Sequence, residues 1–161
     1  MKIPRSRKKI SLIVAAVIVV IAVIGLSVFL VSRGPSNTPR YQTILPGDKT
    51  IEQLGDWERV SPPNSDPVFA YVDTIDSVSI SVSQQPVPAS FNGSVDQKVA
   101  DLAKSYSATK QISAGDTKVY IGTSSKGPQS TIFVKNKVLV LIKSQNKIDD
   151  KSWATYITSL N

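Results

Sequence analysis

Ile10 to Val31 reads ISLIVAAVIVVIAVIGLSVFLV, 22 residues with no charge and with Ser11 and Ser27 as the only polar side chains. At about 1.5 Å per residue, a helix of this length reaches about 33 Å, enough to cross a hydrocarbon core of about 30 Å. Such a helix is apolar on every side, so it has no face to offer water and does not suit the surface of a soluble protein. The stretch predicts a membrane-spanning helix over 10–31. Whatever follows is expected to fold as something tethered.

The flanks predict its direction. Lys2, Arg5, Arg7, Lys8 and Lys9 precede the span with no acidic residue among the first nine positions, whereas Arg33 and Arg40 are the nearest cations behind it. Moving a cationic cluster outward against the membrane potential is unfavourable, so these five residues are read as topology determinants of a cytoplasmic tail, residues 1–9. The C-terminal part is then extracytoplasmic. A cleaved signal peptide is the rival reading. The apolar stretch exceeds the usual ~7–15 residues and no A-x-A-like site follows in VSRGPSN, which favours an uncleaved signal anchor. The chain contains no cysteine, so a lipid-modified cysteine is ruled out.

The formal charge of +7 suggests nucleic-acid binding until its position is considered. Nineteen cations less the five in the tail leave fourteen against twelve acidic residues for the rest of the chain. A near-neutral domain lacks the electrostatic footprint of a phosphate-backbone binder, so no nucleic-acid partner is expected. The expected partners are the lipid bilayer, where the basic tail lies against anionic lipid, and an envelope protein or surface ligand. Histidine and cysteine are both absent. That excludes Cys/His zinc sites, thiol redox chemistry, disulfides and any triad that uses imidazole as its base. No cofactor or metal is expected.

Residues 32–47, with Gly34, Pro35 and Pro39 among small polar residues, are expected to form a flexible stalk. Residues 48–161 read as one α+β domain. Thr50-Ile-Glu-Gln53 has capping-box form and predicts a helical turn. Trp57 to Val60 begins a sheet, and the proline-rich 61–67 interrupts it. Val68–Val72 and the alternating Val78–Ser83 predict a hairpin with Asp73–Ser77 as its turn and Pro86 and Pro88 at its end. Ser94, with Gln97, predicts a capped helix whose stripe is Val95, Val99, Leu102 and Tyr106. Strands over Thr117–Thr123 and Ser130–Lys135 follow. Asn136 sits in a tight turn, and Val138–Ile142 is a central strand covered on both faces. Asp149 caps a last helix with Trp153, Tyr156, Ile157 and Leu160 buried. The expected architecture is a small antiparallel sheet with two amphipathic helices packed on one face.

Hydrolytic arrangements without histidine reduce to serine–lysine and carboxylate pairs. Ser107-Ala-Thr-Lys110 has the S-x-x-K spacing, in which the amine takes the serine proton. Ser6…Lys9 and Ser144…Lys147 share that spacing, and the S-D-N and K-T-G companions are absent. Asp73/Asp76 and Asp149/Asp150 are the close carboxylate pairs, read as turn and helix-cap residues. Phe91 is either exposed or a hydrophobic staple. The Asn92-Gly-Ser94 sequon is the one present.

SVSISVSQQPVP, KGPQSTIFVKNKVLVLIKSQ and IDDKSWATYI, behind the KIPRSRKK tail, resemble single-pass membrane proteins of small-genome, candidate-phylum bacteria. The resemblance implies a bacterial envelope location, carries no assigned activity and transfers no functional residue. The expected function is a non-enzymatic, membrane-anchored extracytoplasmic domain that binds an envelope component or surface ligand. The alternatives are a tethered sensor or regulator signalling through a partner helix and a Ser/Lys-type hydrolase.

Overall fold

The computed structural model describes residues 41–47 and 49–161. The expected span 10–31, the topology determinants Lys2, Arg5, Arg7, Lys8 and Lys9, and the stalk up to residue 40 lie outside the described residues. Among the described residues, no helix is long and apolar enough to cross a membrane.

Seven strands form one antiparallel sheet: β1 (Gly55–Arg59), β2 (Phe69–Ile75), β3 (Val78–Pro86), β4 (Lys110–Ala114), β5 (Thr117–Thr123), β6 (Gln129–Lys135) and β7 (Val138–Ser144). Their order across the sheet is β1-β2-β3-β7-β6-β5-β4. Helix α1 (Val95–Ser105) connects β3 to β4, and α2 (Asp150–Ser159) follows β7. The α+β class and antiparallel sheet are as expected. The hairpins are set by local chemistry. Asp76 and Ser77 join β2 to β3, and Asn136 and Lys137 join β6 to β7, each pair with both φ angles between +48° and +67°. Two such residues in succession give the turn whose twist matches the strands. Gly115, at φ +61°, makes the corner between β4 and β5.

The two helices pack on opposite faces, which corrects the expectation of both on one face. Successive strand residues point to opposite sides. Val138, Val140 and Ile142 of β7, with Phe133 of β6, join a core completed by Trp153 and Ile157 of α2. Leu139 and Ile132, from the same strands, join a second core with Val99 and Ala103 of α1. A strand apolar on both sides needs a layer on each side, and each helix supplies one.

The domain also begins earlier than residue 48. Residues 41–47 are not a stalk but a strap across the α2 face. Ile44 is buried, its N–H donates to Gln84 Oε1 at 2.9 Å, and its C=O accepts from Gln84 Nε2 at 3.1 Å. Leu45 exchanges two 3.0 Å backbone hydrogen bonds with Asn161. Tyr41 donates its hydroxyl to Gln84 O at 2.7 Å. An apolar pair, Ile44-Leu45, inside a Pro- and Thr-rich stretch is what pulls the strap down.

Three local expectations also change. β2 runs through Asp73 to Ile75, so the turn is only Asp76-Ser77. β3 extends through Pro86, which sits opposite Val138 at the strand's end. Ser94 makes no side-chain cap, and Gln97 donates instead to Asp101 Oδ1 at 2.9 Å. The α1 stripe itself, and the α2 stripe, face their cores as read.

Candidate functional site

Lys110 is held by Asp150 at 2.6 Å. That ion pair engages the amine that the S-x-x-K spacing would assign to Ser107. Ser107 itself is a turn residue at φ +56°, following α1. Ser144 is buried, accepts from Gln129 N at 3.3 Å and donates to Asn146 O at 2.7 Å. Ser6 and Lys9 lie outside the described residues. Asp149 caps α2 by accepting from Ser152 N at 3.0 Å and Ser152 Oγ at 2.7 Å, and those bonds hold its carboxyl below the ordinary value. Phe91 is half-buried against the α1 core, which is the staple-like role rather than the exposed one.

Asp73 and Asp76 are not brought together as a pair. Asp76 is an exposed turn residue. Asp73 faces the interior, where its side chain is 7% exposed and takes a hydrogen bond from Lys49 Nζ at 2.6 Å. Tyr156 Oη donates to its other oxygen at 3.2 Å. Burial pushes the hydroxyls of Tyr156 and Tyr71 well above the ordinary phenol range, and the charge of Asp73 adds to the effect. Both stay neutral near pH 7, Tyr156 as the donor to Asp73 and Tyr71 with its buried hydroxyl unpaired among the described residues. Beside them Trp57 stacks on Phe69 and Tyr71, with centroids 5.4 and 5.9 Å apart. This cluster ties the strap and α2 to β2.

A recess of about 300 Å³ opens on the other face, between the start of α1 and the β4–β5 and β6–β7 turns. Val99, Tyr120 and Val134 supply an apolar floor, and Val99 is fully within the α1 core. The exposed residues around it are Asp96, Asp116, Lys118 and Asn136. Lys118 Nζ sits 2.9 Å from Asp96 Oδ2, and that carboxylate raises the lysine's affinity for its proton. Lys135 also borders the recess, yet its ammonium turns to the opposite side and donates to the carbonyls of Ile157 and Thr158 at 2.8 and 2.9 Å. There it caps the C-terminal end of α2, where a cation meets the negative pole of the helix. Burial lowers its proton affinity, with Asp116 acting in the other direction.

Family models, curated proteins and solved structures give no match to this chain. The recess therefore has to be read from its own chemistry. It presents carboxylates, an ammonium and an amide around an apolar base, a set that holds a ligand by charge and burial together. Reading the sequence linearly misses it, because Asp96, Asp116, Lys118 and Asn136 come from a helix, a turn, a strand and another turn. Each carries only the signal of a solvated polar residue in its own element.

Proposed function

We propose that this chain is a membrane-anchored, extracytoplasmic domain that binds a ligand without transforming it. In this reading residues 10–31 span the bilayer as a helix, Lys2, Arg5, Arg7, Lys8 and Lys9 remain cytoplasmic, and the α+β domain stands outside. The observation that carries the binding role is the recess, with an apolar floor and a rim bearing both signs of charge. A ligand with an ammonium and a carboxylate on either side of an apolar body matches that rim. Its carboxylate meets Lys118, its ammonium meets Asp116, and its body lies on Tyr120 and Val134. Short peptides belong to this class.

The test uses full-length protein in lipid nanodiscs and amide chemical shifts. Alanyl-leucine should move the resonances of Lys118, Tyr120 and Val134, and the same dipeptide N-acetylated and C-amidated should not. Lys118→Gln should weaken the response several-fold. Equal shifts from both dipeptides, or shifts confined to other parts of the sheet, would contradict the reading.

A further inference from the structure

The α1 layer covers only part of its face of the sheet. α1 packs mainly on β5 and β6, and among the described residues its core reaches Leu141 of β7 but no residue of β1, β2 or β3. The register assigns this open side. Ala70 and Val72 of β2, Ser79, Ser81 and Ser83 of β3, and Leu141 and Lys143 of β7 share it, and Glu58 of β1 stands opposite Ala70. Thr74, Ser79 and Ser81 are exposed, while Ala70, Val72, Ser83 and Leu141 are only half-buried. The result is a flat platform of small side chains with an acid at one margin and a lysine at the other. Among the described residues, Glu58 and Lys143 take part in no ion pair.

We infer that this platform is the contact between two copies of the chain, packed sheet to sheet about a two-fold axis parallel to the strands. Such an axis, passing between β2 and β3, sets β7 of each copy over β1 of the other. Lys143 then meets Glu58 of the second copy, and Glu58 meets Lys143, so one interface makes two complementary pairs. The two residues are offset by two positions along the strands, about 7 Å, which a lysine and a glutamate side chain span together. Small residues at the centre allow the ~10 Å spacing of stacked sheets. A helix on a sheet has about the same thickness. α1 of one copy therefore lies level with the sheet of the other, beside its β1 edge, and does not block the approach.

The axis also preserves which end of the sheet is which. Tyr41 bonds to Gln84 near the end that carries Phe69, Pro86 and Val138. Both copies then carry Tyr41, the first described residue, at the same end, as two anchors in one membrane require. This last point rests on the anchored reading above. The platform is small: four strands at ~4.8 Å and seven residues at ~3.3 Å cover about 400 Å² per copy. A standard interface takes about 800 Å² per partner, so the pair is reversible and depends on confinement in a common bilayer.

The chain's lack of cysteine makes the test direct. Full-length Ser81→Cys, in liposomes, should form a covalent dimer with a short bis-maleimide, and Ser125→Cys on the β5–β6 loop should not. Lys143→Glu, or Glu58→Lys, placed in the Ser81→Cys background, should cut the dimer at least five-fold. The exchange of both charges should restore it. Failure of the double exchange to restore it, or equal crosslinking at position 125, overturns the interface. Maleimide accessibility of Ser125→Cys in intact cells reports topology separately, so a wrong anchor and a wrong interface give different results.

Discussion

Gln84 and Ile44 are joined at both ends of one side-chain amide. Gln84 Oε1 accepts from Ile44 N–H at 2.9 Å, and Gln84 Nε2 donates to Ile44 C=O at 3.1 Å. Both residues are buried, so a side chain does here what a neighbouring strand does elsewhere in the sheet. Replacing Gln84 with Leu fills the space but leaves a buried donor and a buried acceptor unpaired. Each such group costs about 1–3 kcal/mol, so Gln84→Leu should destabilise the domain by about 3 kcal/mol in chemical denaturation. Ser81→Ala, on the exposed side of the same strand, should change it by less than about 0.5 kcal/mol.

Gly122 is where β5 passes beneath the exit of α1. A Cβ at this position would meet Ala108 Cα and Ser107 O at 3.1 Å and Ala108 N at 3.2 Å. All three are backbone atoms and cannot swing aside. Gly122→Ala should therefore cost about 1–3 kcal/mol, although alanine suits a strand better than glycine. The same variant should increase amide exchange at Ser107 and Ala108, the segment pushed away.

Asp149 gives a pH dependence with a definite sign. The hydrogen bonds from Ser152 lower its folded-state pKa below the ordinary 3.8. Its contribution is present above the unfolded value and is lost as the pH falls through the lower folded one. Asp149→Ala should reduce the melting temperature at pH 7, and the difference from the native chain should vanish at pH values below the folded pKa. Asp149→Asn, which keeps a capping oxygen, should recover much of the loss at neutral pH.

Much of the fold is legible because its signals are local. The Val-Ser alternation of β3 assigns which residues face the core, and Val82 is buried while Ser81 is exposed. Asn136 occupies the positive-φ turn that its short polar side chain tolerates. Asp149 caps as its position suggests. β4 carries no strand signal of its own, because only Ile112 and Ala114 of KQISA are apolar. It becomes a strand by pairing with β5 across the Gly115 corner and by packing against α2, which is distant in sequence. Asp73 shows the same limit. Its residue type signals a turn, yet Lys49 and Tyr156, distant in sequence, supply the partners that let it sit in a strand facing inward. The placement of the helices was decidable in principle, since Val138–Ile142 is apolar at every position and so demands two layers. The recess is the least legible feature, for its groups converge only after α1 crosses the sheet.

The most direct measurement of whether this is an outward-facing anchored domain is thiol labelling in intact cells. Ser6→Cys and Ser125→Cys, in separate full-length variants, would be treated with a membrane-impermeant maleimide. Labelling at position 125 and not at position 6, with both labelled after lysis, is the expected outcome. Labelling at position 6 and not at 125 would place the recess and the open sheet face in the cytoplasm, and would contradict the extracytoplasmic binding role.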